Sequence, residues 1–302
     1  MALLDRAIVR VLPAVPRPVV KRLSRRYIAG PELVDACRAV RSLNAGGKMA
    51  TIDVLGEEIT TPEQATALLE EYEDVFETIE REGLDSNVSV KLTGLGLKLD
   101  RDVCRGNVAT LVRWADERGN FVRIDMEDSS TTTDTLAIYR ELRSEGLDNV
   151  GVVLQAYMRR TLDDVAELAA LRPNVRVCKG IYVEPSDIAY QGDEAVRFNF
   201  VEAVSALLAA DAYVAVATHD EWLIGEALRL FEERELTGDQ YEFQMLLGVR
   251  GDLGDELVRG GHRLRIYVPF GRQWYEYSLR RLQENPKVAG YIARDTLRRL
   301  KP

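Results

Sequence analysis

Histidine is scarce: His219 and His262 are the two in 302 residues, so a metal cluster built on imidazole is not expected. Counting alone leaves a carboxylate-bound magnesium open, and no metal is assigned. Cysteine is nearly as rare. Cys37, Cys104 and Cys178 are odd in number, far apart and without paired spacing, which argues against a disulfide framework or a zinc site and favours a reducing compartment. No run reaches the eighteen or so apolar residues needed to span a bilayer. The opening stretch carries Asp5 and several prolines where a signal peptide would be uninterrupted. A cytoplasmic protein is expected.

Familiar nucleotide and hydrolase signatures are missing too. There is no GxxxxGK[ST] loop, GxSxG elbow or HExxH pair, and Gly94-Leu-Gly96 lacks the third glycine of a dinucleotide fingerprint and reads as a turn. Cations are in deficit, 40 Lys and Arg against 49 Asp and Glu for a net charge of −9, which disfavours a body that grips nucleic acid by neutralising phosphates. Residues 1 to 30 invert this balance, with seven cations against Asp5, and leave about −15 for the remainder. Such a segment could place the protein peripherally at the inner face of an anionic membrane.

What is present is an ordinary globular composition, 46% apolar and 29% charged, long enough for two average domains or one large α/β barrel. Eight β-rich segments recur, each followed by a helical stretch: Met49 to Val54, Val88 to Leu92, Phe121 to Met126, Gly151 to Ala156, Val175 to Lys179, Tyr213 to Thr218, Tyr241 to Met245 and Leu264 to Val268. They begin roughly 23 to 40 residues apart, room for one crossover helix each, and eight such units close naturally into a (β/α)8 TIM barrel. A doubly wound open sheet is the runner-up. Residues 1–45 read as an N-terminal helical cover broken near Pro13 to Pro18 and at Gly30-Pro31, and 46–302 as one barrel domain.

In such a barrel the side chains that can act on a ligand stand at the carboxyl ends of the strands. Those places hold Asp53, Lys91, Asp125, Gln155, Arg176, Lys179, Thr218, His219, Gln244 and Tyr267. Buried parallel strands normally read apolar throughout, so a polar residue near nearly every end implies a polar mouth. Lys91, Arg176 and Lys179 would make it cationic, suited to an anionic substrate or to cofactor phosphates, with Asp125 as internal counter-charge. Beyond the last strand, Tyr277, Arg280, Arg281 and Glu284 fall at i, i+3, i+4 and i+7 on one helix face. Two guanidinium forks beside aromatic rings suit a small carboxylate with an apolar ring, and a solvated helix face is the plainer alternative.

Seven segments occur in order: Val88-Ser-Val-Lys-Leu, Arg123-Ile-Asp-Met-Glu-Asp, Val153-Leu-Gln-Ala-Tyr, Arg176-Val-Cys-Lys-Gly-Ile-Tyr, Ala217-Thr-His-Asp, Tyr241-Glu-Phe-Gln-Met-Leu-Leu-Gly and Tyr277-Ser-Leu-Arg-Arg-Leu-Gln-Glu. Together they make the chain resemble the proline dehydrogenase family in its short, monofunctional bacterial form, from about Ala45 to Leu300. The resemblance implies a distorted barrel with the final helix over its mouth, FAD bound there without a Rossmann domain, and oxidation of L-proline to Δ1-pyrroline-5-carboxylate by hydride transfer from C5 to flavin N5. Electrons would pass to a membrane quinone. Nothing in the chain resembles an aldehyde dehydrogenase module, so a separate pyrroline-5-carboxylate (glutamate semialdehyde) dehydrogenase would follow.

Carried over by motif, the resemblance gives Lys91, Arg280 and Arg281 to the proline carboxylate and Leu246, Tyr267 and Tyr277 to the ring. Asp125 and Arg176 become the catalytic polar pair, with Arg176 also donating toward the flavin. Met126, Gln155, Lys179, Gly180, Ile181, Thr218 and His219 become FAD contacts, and Glu57 and Glu284 supply ion-pair support. A retained Tyr267 resembles the proline-using branch rather than the hydroxyproline one. Val183 and Cys178 depart from the family pattern beside the flavin segment, and Cys178 reads as a small buried hydrophobe. Two other readings compete: a Schiff-base aldolase using Lys91 or Lys179 as nucleophile, and a non-catalytic barrel scaffold.

Overall fold

The structure is a computed structural model, and it describes residues 27–57, 59–275 and 277–278. Eight parallel strands close into a barrel in sequence order: β1 (Met49–Val54), β2 (Ser86–Val90), β3 (Val122–Ile124), β4 (Val150–Gln155), β5 (Asn174–Cys178), β6 (Tyr213–Ala217), β7 (Tyr241–Leu246) and β8 (Leu264–Phe270). Closure is made by β8 against β1, in register from Met49 beside Arg265 to Val54 beside Phe270. The expected strands are all present, with small shifts at their ends. β2 stops at Val90 and β3 at Ile124, so Lys91 and Asp125 stand one residue past the regular ladder instead of within it. The Asp125 amide still donates to the Val90 carbonyl at 2.9 Å, which keeps that side chain aimed as a strand residue would be.

Helix α1 (Leu33–Ala45) precedes the barrel, and α2 (Pro62–Glu82), α3 (Arg101–Glu117), α4 (Ser129–Ser144), α5 (Thr161–Leu168), α6 (Asp193–Ala209), α7 (Glu221–Glu233) and α8 (Gly251–Arg259) follow β1 to β7 in turn. Local chemistry sets their starts. Thr61 caps α2, its amide donating to Gln64 Oε1 at 3.1 Å with Pro62 in the first turn, the reciprocal box expected of that sequence. Asp100, Asp128 and Asp220 cap α3, α4 and α7 by accepting from backbone amides two residues on, which satisfies donors the helices cannot use internally. The turn at Gly94-Leu-Gly96 is present, and Gly96 takes φ +105°.

The helices bury apolar faces against the outside of the sheet, where Ile52, Val88, Val90, Ile124, Val152, Val175, Val177, Val214 and Val216 are fully enclosed. Each contributes about 1.5–3 kcal/mol. The inside is different. Thr51 and Asp53, Asn87 and Ser89, Glu242 and Gln244, and Arg265 and Tyr267 sit two residues apart on their strands and hydrogen-bond to one another and to Asp125 inside the barrel, mostly between neighbouring strands. A strand's side chains alternate between faces, so these pairs line the interior, which is a polar column instead of the usual layers of branched apolar side chains.

Candidate active site

The carboxyl-terminal end of this column is a compact cluster of two acids and two bases. Lys91 Nζ donates to both oxygens of Asp53 at 2.9 and 3.0 Å and to the Tyr267 hydroxyl at 3.1 Å. It stands 3.6 Å from Asp125 Oδ2. Asp125 Oδ1 accepts from Arg176 Nη1 at 2.6 Å and from Ser89 Oγ at 2.6 Å, while its other oxygen accepts from Tyr267 at 2.9 Å. Arg176 Nε donates to Gln244 Oε1 at 2.5 Å. Lys91, Asp53, Asp125 and Arg176 are all buried, and two positive against two negative charges make that burial tolerable.

The pairing fixes the protonation states. Burial raises Asp125, but Arg176 and Lys91 outweigh it and hold the carboxyl below its usual range. Burial opposes the charge on Lys91, yet Asp53, Tyr267 and Asp125 together push it well above an ordinary lysine. Burial raises Asp53, and Lys91 pulls it back only in part. The Tyr267 phenol is raised by burial and by the two neighbouring carboxylates. Lys91 is therefore a fixed cation whose three donors are engaged, and it offers an incoming anion charge rather than a free hydrogen bond.

One group in the cluster is not satisfied. Arg176 Nη2 is buried and has no hydrogen-bond partner, although leaving such a donor unmade costs about 1–3 kcal/mol. Around the same mouth, Ile181 and Val183 on the loop after β5 and Leu246 at the end of β7 are exposed. A buried unsatisfied donor and exposed apolar side chains at one end of the barrel suit a flat, partly polar ring system, and the residues present accordingly fit a flavin.

Other expected site residues lie at the same end. Met126 and Gln155 are buried, and Gln155 Nε2 donates to the Glu127 carbonyl at 2.7 Å. Thr218 Oγ1 accepts from the Asp220 amide at 3.1 Å. His219 Nε2 accepts from the Leu246 amide at 3.0 Å, and burial followed by Arg250 lowers its pKa to about 4. The ring is neutral and fastens the end of β7. Gly180 has φ +99°, and a Cβ there would lie 2.1 Å from the Tyr157 ring, so this glycine is already required by protein packing. Tyr277 is buried in a small cluster with Ile28 and Leu55, close enough to Tyr267 to raise its phenol. Glu57 is half-buried in the loop after β1. Arg280, Arg281 and Glu284 lie outside the described residues, as does most of the final helix. Cys178 is half-buried, not enclosed as expected, because it ends its strand at the open mouth.

Three residues of the site had no role assigned from the sequence. Asp53 was legible as an acid inside an apolar strand but had no assigned role. Glu127 accepts from the Thr93 amide at 2.9 Å and its hydroxyl at 2.5 Å, tying the loop after β2 to the end of β3. Asp220 accepts from Lys179 at 2.5 Å and Arg197 at 2.8 Å. Burial would raise Asp220, but those hydrogen bonds and charges bring it to about 2. Among the described residues no group of acids, histidines and cysteines could hold a metal ion, and no helix is long and apolar enough to cross a membrane.

The profile of the family described as Proline dehydrogenase matches residues 36–294. The chain belongs to the proline dehydrogenase family. Proline dehydrogenase 1 of Bacillus subtilis is 35% identical over 276 residues, 91% of each chain. Proline dehydrogenase of Deinococcus radiodurans is 37% identical over 300 residues, 95% of this chain and 97% of that one. The longer Bifunctional protein PutA of Escherichia coli is 24% identical over 348 residues, which cover 97% of this chain and 26% of that protein. Among solved structures, PutA from Bdellovibrio bacteriovorus superposes with a TM-score of 0.82 at 22% identity over 91% of this chain and 36% of that one. PutA from Corynebacterium freiburgense gives 0.77 at 20% identity over 96% and 34%. This chain thus spans about a third of those solved chains, and the likeness establishes the shared fold.

Proposed function

We propose that this chain oxidises L-proline to Δ1-pyrroline-5-carboxylate with FAD as its cofactor, and that the electrons then pass to a quinone. The observation that carries the reading is the unsatisfied Arg176 donor in an otherwise neutralised, hydrogen-bonded mouth. Bound FAD would supply the acceptor for the hydride leaving C5. Arg176, Met126, Gln155, Lys179, Gly180, Ile181, Thr218 and His219 are the residues that would hold it, with Asp220 fixing Lys179.

The protein's own part is orientation and charge. Arg280 and Arg281 would bind the proline carboxylate as forks, Lys91 would add fixed positive charge beneath it, and Leu246, Tyr267 and Tyr277 would pack against the ring. Glu57 and Glu284 would balance the two arginines. Asp125 holds Arg176 and the Tyr267 hydroxyl in place, so the groups facing the substrate do not reorganise as it reacts. Proline must also give up its ring-nitrogen proton to form the imine. A separate dehydrogenase would oxidise the product further.

The aldolase reading needs a neutral lysine. Lys91 is held as a cation by Asp53, and Lys179 is paired with Asp220, which opposes it. To test the proposal, the protein loaded with FAD is incubated with L-proline and a soluble quinone analogue, and the cyclic imine is trapped with o-aminobenzaldehyde. Product is expected in proportion to quinone reduced. A protein that binds FAD yet forms no imine contradicts the reading.

A further inference from the structure

We propose that the amino-terminal end of the barrel, opposite the active site, binds a small oxyanion, a phosphate or a short carboxylate. A cavity of about 560 Å³ opens there, and its lining includes Arg118, Arg123, Arg263 and Arg265. This end of a (β/α)8 barrel ordinarily carries stability rather than ligand chemistry, so four guanidinium groups in one recess call for a physical reason.

The three acids in the wall, Glu80, Asp85 and Glu242, are one fewer than the four arginines. Glu242 is taken by Arg265 at 2.9 Å, and Glu80 reaches Arg118 only at 3.5 Å. Arg263 hydrogen-bonds to the Asp239 carbonyl at 3.3 Å and the Met49 sulfur at 3.3 Å, while the Asp239 carboxylate turns to Thr237. Arg123 is 2% exposed. Its donors go to the Val152 carbonyl at 3.0 Å, the Asn174 carbonyl at 2.7 Å and the Asn174 side chain, with no carboxylate among them. Arg123 Nε is buried without a hydrogen-bond partner, and Arg118 Nε makes none either, with Glu80 Oε2 3.5 Å away.

The bed of Arg123 is built for it. Phe121 lies with its ring 5.0 Å from the guanidinium carbon. At Gly151, the second residue of β4, a Cβ would come within 2.4 Å of Arg123 Nη1, so the strand gives up a side chain to admit the cation. Burial, then the charge of Arg176, pushes this guanidinium down to about 9, with Glu242 offsetting them only in part. A small oxyanion accepting from these guanidinium groups would supply the missing charge and acceptors together.

The test uses the FAD-loaded protein at constant ionic strength, titrated separately with inorganic phosphate, succinate and chloride while thermal unfolding is followed. Saturable stabilisation by phosphate or by succinate, absent with chloride, is expected, and the more effective of the two identifies the ligand class. Arg263→Gln should weaken it about tenfold, the value of a charge-assisted contact, and leave proline oxidation unchanged. Arg123→Met, checked for folding by circular dichroism, should abolish it. Stabilisation that chloride reproduces, or that survives both substitutions because the anion sits at the active site, overturns the proposal.

Discussion

Asp125 and Arg176 meet at 2.6 Å inside the barrel mouth, and the second nitrogen at the end of that arginine has no partner. The carboxylate therefore fixes one edge of the guanidinium and leaves the second terminal nitrogen buried and unsatisfied. Asp125→Asn keeps the shape and removes the charge. Leaving a buried cation unpaired costs about 3 kcal/mol or more, and the expected outcome is a fall of roughly a hundredfold in kcat/KM for L-proline. Steady-state kinetics on the folded variant checks it.

Lys91 and Asp53 are expected to be coupled. Lys91→Met strands the fully buried Asp53 and should lower unfolding free energy by about 3–5 kcal/mol, whereas Lys91→Met with Asp53→Leu should recover much of that loss. Urea denaturation of the two variants and the parent measures it. The double variant should still bind L-proline poorly, because the fixed positive charge is gone.

His219 is expected to stay neutral through the physiological range. Its folded pKa of about 4 lies below that of an unfolded histidine, near 6.5, so stability is retained above that value and lost as pH falls from about 6.5 toward 4. With His219 and His262 as the two imidazoles, nitrogen NMR resolves them. His219 should show a proton on Nδ1, since Nε2 accepts from Leu246, and should not titrate above pH 5 or so.

Asp220 joins a helix cap to two cations. Its pKa of about 2 lies below the unfolded value near 3.9, so its contribution of about 2 kcal/mol is present above that value and disappears as pH falls toward 2. Asp220→Asn should remove it at neutral pH and flatten the acid limb of the stability curve. It should also weaken FAD retention, measured by equilibrium dialysis, because Lys179 loses its anchor.

The barrel was legible because most strands are short runs of β-branched residues followed by a longer helical stretch, and that alternation can be read from one sequence. The polar mouth was legible because Lys91, Asp125, Arg176 and Tyr267 interrupt apolar strands near their ends, but its charge was not, since Asp53 and Asp125 neutralise Lys91 and Arg176. The polar column beneath it was harder to see. Thr51 with Asp53 and Glu242 with Gln244 do show the two-residue spacing, but the pattern says that they share a face and not that the face is the barrel axis. Contacts such as Asp220 with Lys179 join residues 41 apart in sequence and have no local signature. Arg123 lies two residues before Asp125 yet reaches Asn174 at the opposite end of the barrel.

The most direct measurement is the flavin absorbance of the FAD-loaded protein on anaerobic addition of L-proline. Stoichiometric bleaching by L-proline, with Arg176→Met binding FAD but bleaching far more slowly, is the predicted result. A flavin that stays oxidised in the presence of saturating proline, or an Arg176→Met variant that bleaches at the parent rate, would contradict the assignment of this mouth as the reaction centre.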